Sequence, residues 1–314
     1  MKLSFLFFGL AVLTIAVALV GSSNLRADKA SGQETVAVTT DAAENEGHPF
    51  AEKCYTCHGE EVSYPEWEQS GHAQALVNLL QGKYPVKDSC LSCHSAGYEM
   101  LRNHEWPEDQ PYNKDTAINA ISCSSCHLHS SPREHYLVKP VKDLCVSCHK
   151  MDCGCAGAGV IHQSQTEMFL GRDGVGVQRK PSPHVRAMKN RCVHCHMAKE
   201  DAKTVAQHGG HTFKATFANC KECHDDMDTK FKQYREEIEA KMQTVKAMLD
   251  NAPDPNSEAY KAAKWNYDMV KGDGGYGLHN IPYARELLDY SLSLKSQLAT
   301  TEMMDGDPVS GGGE

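Results

Sequence analysis

Large apolar side chains are scarce in this 314-residue sequence. Aromatic residues make up 7%, Trp occurs three times, and three of the eight Phe (Phe5, Phe7, Phe8) crowd into the first few positions. Mean hydropathy is -0.51. A chain of this length normally buries about three quarters of the surface that its unfolded form exposes, so something other than side chains has to fill this interior. Strand signals are nearly absent as well: few β-branched runs alternate and no convincing hairpin turn occurs. Basic charge is also short. Lys and Arg number 32 against 41 Asp and Glu, a formal net charge of -9, which argues against nucleic acid as a partner.

Long hydrophobic runs are limited to one, from Leu3 to Val20, behind Lys2 and ahead of small and polar residues from Gly21. This is the layout of an export signal. At about 18 residues the run is also just long enough to span a bilayer, so residues 1–25 read as a signal peptide or an N-terminal anchor. No Cys precedes Cys54, so no thiol is available there for a lipid anchor, and membrane contact is expected only through an uncleaved N-terminal segment. Residues 26–47 are small, polar and without periodicity, as in a disordered leader.

What the chain does have is 14 Cys and 17 His. One pentapeptide pattern recurs six times: Cys54, Cys57 and His58 in CYTCH; Cys90, Cys93 and His94 in CLSCH; Cys123, Cys126 and His127 in CSSCH; Cys145, Cys148 and His149 in CVSCH; Cys192, Cys195 and His196 in CVHCH; Cys220, Cys223 and His224 in CKECH. In the haem-attachment signature, two thiols on one turn add to the two vinyl groups of a porphyrin, and the adjacent His becomes the proximal iron ligand. Paired zinc sites would leave the repeated His unexplained, and a disulfide framework would not repeat a pentapeptide. The expectation is six covalently bound haem c.

Eleven His remain besides the six proximal ones. A second His makes an iron six-coordinate and suited to electron transfer, whereas an iron lacking one can bind substrate. The candidates for second ligands are His72, His129 or His135, His162, His184, His211 and His279; His194 and His48 read as ordinary His. Cys153 and Cys155, in MDCGCAGAG, are left over. They read as a thiolate pair for a soft metal, as redox-active thiols, or as plain semi-buried thiols.

From Asp225 the character changes. Met227, Phe231, Tyr234, Ile238, Met242, Val245 and Leu249 recur at intervals of three and four, predicting a long amphipathic helix that ends before Pro253. A second helix is predicted from about Ser257 to Lys271, stopping at Gly272, and a third from the cap Asn280, with Pro282 just inside, to about Ala299. The fold class is therefore mainly α: a haem-packed domain over residues 48–225, a C-terminal helical hairpin or bundle over 226–299, and a loose tail over 300–314.

The stretches RCVHCHMA, GGHTFKATFANCKECH and KWNYDMVKGDGGYGLHNIPYARELL resemble the C-terminal half of the superfamily containing octahaem hydroxylamine oxidoreductase, octahaem tetrathionate reductase and pentahaem ammonia-forming nitrite reductase. The resemblance runs from about Pro183 to Leu298. It implies a helical fold with closely packed haems, and iron ligation by His279 and His211. The chain departs from that pattern in having six motifs where those enzymes have five or eight, and in lacking the Cys-x-x-Cys-Lys that marks the catalytic haem of typical pentahaem nitrite reductases.

These readings converge on an exported, periplasmic or extracellular electron carrier that meets redox partner proteins, with assembly into a homo-oligomer left open. The alternative is a reductase or oxidase of a small nitrogen or sulfur compound (nitrite, hydroxylamine or tetrathionate) at one open haem.

Overall fold

The structure, a computed structural model, describes residues 49–82, 85–96, 98, 112–151, 161–197, 210–217 and 219–299. The expected signal or anchor, the leader, the tail, and His48, His104, His208, Cys153 and Cys155 lie outside these. Among the described residues there is no strand, only one antiparallel bridge between His127 and Leu137.

The chain from Pro49 to His196 runs through short helices: α1 (Pro49–His58), α2 (Ser63–Glu68), α3 (Ala75–Leu80), α4 (Leu91–His94), α5 (Val141–Leu144), α6 (Gln165–Leu170), α7 (His184–Ala187) and α8 (Cys192–His196). Small clusters take the place of a continuous core here. Leu76, Leu91, Tyr112, Ala117 and Ala120 form one, and Trp67 with Ala73 forms another. Trp67 Nε1 donates to Ile121 O at 2.9 Å, which ties α2 to the segment leading into the third motif.

The three predicted C-terminal helices are present as α9 (Met227–Asp250), α10 (Glu258–Gly272) and α11 (Ile281–Ser293), followed by the short α12 (Lys295–Leu298). Their limits follow from capping. Ser257 Oγ accepts from Tyr260 N at the start of α10, and Asn280 Oδ1 accepts from Tyr283 N at the start of α11. Ile238 and Val245 on α9, Ala263 and Met269 on α10, and Ala284, Leu287 and Leu288 on α11 are wholly buried together with Met168 of α6. Among the described residues this is the one sizeable side-chain core. No described helix is long and apolar enough to cross a membrane.

Side-chain-to-backbone hydrogen bonds stitch the segment around α6 to these helices. Ser164 Oγ donates to Met269 O at 2.6 Å; Asn266 accepts from Val175 N at 2.8 Å and donates to Val175 O at 2.9 Å; Trp265 Nε1 donates to Asp173 O at 2.7 Å. Asn280 Nδ2 reaches Met168 O at 3.0 Å and Lys180 O at 2.7 Å. The bundle thus holds the loop between α10 and α11, which carries His279, in a fixed place beside the motif-bearing region.

Candidate haem-binding centre

Each motif occupies a single tight turn. The first and fifth lie within α1 and α8, the second passes from a 3₁₀ turn at Asp88–Cys90 into α4, and the third, fourth and sixth form 3₁₀ turns at Cys123–Ser125, Cys145–Ser147 and Asn219–Glu222. Turns of this tightness put the two thiols on one side and start the following His on the same face.

Five of the six motif His face a second imidazole at nearly constant separation. The ring centres are 6.0 Å apart for His58 and His129, 6.0 Å for His72 and His149, 6.1 Å for His127 and His211, 6.0 Å for His184 and His224, and 6.1 Å for His196 and His279. The angles between ring planes differ widely, at 45°, 67°, 36°, 76° and 17° in that order. A direct N–H···N hydrogen bond of about 2.9 Å would bring the centres to about 5 Å. A metal bonded to both rings at about 2 Å holds them about 6 Å apart. The pairs therefore fit an iron between two imidazoles, whatever the ring orientation. His162 lies close enough to His94 for the charge of His94 to add to burial in lowering its pKa.

The other ring nitrogen is equally consistent. Nδ1 of His94 faces Ala75 O at 3.1 Å, that of His127 faces His135 O at 2.8 Å, and that of His196 faces Phe213 O at 2.9 Å. His149 Nδ1 faces Gln163 Oε1 at 3.1 Å, His58 Nδ1 faces Glu61 Oε1 at 2.8 Å, and His279 Nδ1 faces Asp273 Oδ1 at 2.6 Å. All these partners are acceptors, so Nδ1 carries the proton and Nε2 keeps its lone pair for a metal. Burial lowers several of the paired rings: it brings His72 to about 4 and pushes His149, His184 and His196 below the usual histidine value. His279 goes the other way. Burial pulls it down, but the charge and hydrogen bond of Asp273 outweigh that and raise it.

The second rings come from distant segments. His72 precedes the second motif yet faces the fourth, and His129, just past the third motif, faces the first. His211 lies between the last two motifs and faces the third, His184 faces the sixth, and His279 reaches back from the bundle to the fifth. The Cys of different motifs also come within hydrogen-bonding reach of one another, Cys54 of Cys123, Cys93 of Cys148 and Cys192 of Cys145. The first motif therefore sits beside the third, the second beside the fourth, and the fourth beside the fifth.

Of the two options His129 and His135, the structure turns His129 toward His58. His135 adopts a left-handed backbone (φ 54°), its ring lies 3.5 Å from Glu134 at the surface, and its carbonyl serves His127. Sequence reasoning missed the supporting groups. Phe213, also left-handed (φ 55°), accepts from His196 through its carbonyl, and its ring centre lies 4.4 Å from that of His72 and 5.8 Å from that of His211. Glu66 accepts from His211 N at 2.8 Å. Gly210 before it has φ 77°, and a Cβ there would lie 2.4 Å from Met197 O, so only glycine admits this approach. The one sequence cue to Asp273 was the Gly-rich GDGGYGLH leading to His279.

Two family models match parts of the chain: the doubled CXXCH motif over residues 116–152, and cytochrome c554 and c-prime over residues 53–128. This protein is a multihaem c-type cytochrome. Among solved structures, the cytochrome is similar to the outer cell wall cytochrome OcwA, with 30% identity and a TM-score of 0.63 over 76% of this chain and 50% of that one. It also shares the fold of an undecahaem cytochrome from the S-layer of Carboxydothermus ferrireducens, with 20% identity and a TM-score of 0.60 over 79% of this chain and 45% of that one. The chain thus spans about half the length of these structures. A comparison with curated proteins found no match.

Proposed function

We propose that the cytochrome binds six haems c, each held by the two thiols and the His of one motif and by a second His, and that it carries electrons without a catalytic haem. The pairs would be His58 with His129, His94 with His162, His127 with His211, His149 with His72, His196 with His279, and His224 with His184. The observation that carries this reading is the 6.0–6.1 Å spacing of five ring pairs. A second imidazole occupies the position a substrate would need, which favours electron transfer over chemistry. The bound haem supplies a one-electron Fe(III)/Fe(II) couple. The polypeptide holds both ligands, fixes their tautomers through the Nδ1 partners, and brings the attachment turns of different motifs into contact. The resemblance over residues 183–298 to enzymes of the hydroxylamine oxidoreductase superfamily would favour a catalytic reading only if one iron lacked its second His.

Two further considerations favour a location outside the cell. The similar structures carry names that put them in an outer cell wall and an S-layer, and the N-terminal run has the layout of an export signal. With a formal charge of -9, a redox partner with a basic face is favoured on approach.

Mass spectrometry of the matured protein should show six haem additions, and paramagnetic resonance of the oxidised protein should show only low-spin iron. The near-perpendicular His184/His224 and His72/His149 pairs should give the most anisotropic signals, and the near-parallel His196/His279 pair a rhombic one. A high-spin haem in the parent, with turnover of nitrite, hydroxylamine or tetrathionate, refutes the carrier reading.

A further inference from the structure

We propose that Asp273 is a positioning residue that gives the haem held by His196 and His279 an anionic axial ligand, making it the most reducing haem of the set; this rests on the ligand pairing proposed above. The Asp273 side chain is completely shielded from solvent, and its Oδ1 takes the Nδ1 proton of His279 at 2.6 Å. Its Oδ2 accepts from Gly277 N at 3.3 Å, its backbone N donates to Met269 O at 3.1 Å, and its carbonyl accepts from Gln165 Nε2 at 3.2 Å. The carboxylate is therefore fixed by the end of α10 and cannot swing away. The loop is shaped for the pair: a Cβ at Gly275 would lie 3.2 Å from Asp273 Oδ2 and from both Cε1 and Nδ1 of His279.

The other described Nδ1 partners are weaker or wetter. Ala75, His135 and Phe213 offer neutral carbonyls and Gln163 a neutral amide. Glu61, the only other carboxylate among them, is half exposed, as is its partner His58, so water and salt screen it. A buried carboxylate on Nδ1 gives the imidazole imidazolate character, raises its basicity as a ligand, and favours Fe(III) over Fe(II). When this haem takes up one electron, Fe(III) becomes Fe(II), the shared proton stays between Nδ1 and Asp273, and the fixed negative charge opposes the added electron.

The ring planes provide the label. His196 and His279 are only 17° from parallel, so their haem should give a rhombic low-spin signal distinct from the steeply tilted pairs, and His279→Ala identifies it by removing it. In the parent, that signal should be the last to disappear as the potential is lowered. In Asp273→Asn, all haems should remain low-spin, the assigned signal should broaden in g-spread, and one potential should rise by at least a tenfold change in Fe(III)/Fe(II) preference, which is about 59 mV for one electron. The proposal is overturned if the assigned signal is not the last reduced in the parent, if Asp273→Asn moves no potential, or if it produces a high-spin haem. If His279→Ala itself leaves every haem low-spin, the ligand pairing fails and takes the proposal with it. If His279→Ala opens a site while Asp273→Asn changes nothing, the pairing stands and only the role of Asp273 is lost.

Discussion

Replacing Asn280 should cost the protein far more than an ordinary helix cap. Its side chain is almost wholly buried and makes three hydrogen bonds: Oδ1 accepts from Tyr283 N at 3.3 Å, and Nδ2 donates to Met168 O at 3.0 Å and Lys180 O at 2.7 Å. Loss of an N-cap costs about 1 kcal/mol, and each buried acceptor left without its donor costs about 1 kcal/mol more. Asn280→Ala should therefore destabilise by about 3 kcal/mol, whereas Asn280→Ser keeps a capping oxygen and should lose about 2 kcal/mol. Denaturant unfolding of the holoprotein followed by circular dichroism measures both, with unchanged slope expected. Because His279 immediately precedes this cap, the Ala variant should also weaken the paramagnetic signal assigned to the His196/His279 pair before global unfolding. A loss below about 1 kcal/mol for Asn280→Ala, or equal losses for Ala and Ser, would refute the reasoning that the two carbonyls, of Met168 and Lys180, depend on this one amide.

Two other outcomes follow from the site. His129→Ala should convert one haem to high-spin, while His135→Ala should leave every haem low-spin because its ring faces Glu134 and only its carbonyl meets a motif His; the opposite pattern, read by optical and paramagnetic spectra, would reassign the first motif's partner. Phe213→Ala keeps the carbonyl that serves His196 but removes the ring between His72 and His211, so it should cost about 2 kcal/mol, half the usual price of a fully buried Phe, and shift the signals of at least two haems together. A change confined to one haem would show that the ring is local filler.

The C-terminal helices were legible because their information is local. The apolar interval of three and four, Ser257 and Asn280 as caps and Pro282 in the first turn all act within one helix; α9 and α10 begin and end, and α11 begins, within a residue or two of where these signals put them, whereas α11 stops at Ser293, short of the predicted Ala299, and the chain continues in the separate α12. The motifs were legible for the same reason. The pairing of rings was not, because His211 meets His127, and His72 meets His149, only after the chain has folded back across several short helices whose order no local signal encodes. The choice between His129 and His135 turned on a left-handed backbone at His135 and Tyr136, a conformation that L-residues disfavour and that neighbouring structure must impose. Asp273 escaped notice because a Gly-rich loop reads as a turn, and only the fold shows that its glycines clear space for a carboxylate against an imidazole.

The distribution of the core explains why the paired rings come from so far apart in the sequence. Side-chain burial is concentrated in α9, α10 and α11, and the region from α1 to α8 has only small clusters, too little to fix its loops by hydrophobic contact alone. A ring pair that joins residues far apart in sequence closes a large loop, and once metal joins the two rings it restrains the unfolded chain as a crosslink does. Short helices then suffice between such crosslinks, since each needs only to deliver a ring and a Nδ1 partner. The His196/His279 pair differs from the rest because its second ring sits beside the one large core, where Asn280, Gln165 and Ser164 tie the loop to both sides. That is the place in this fold where a carboxylate can be held dry against an imidazole, and it is where the chain puts Asp273.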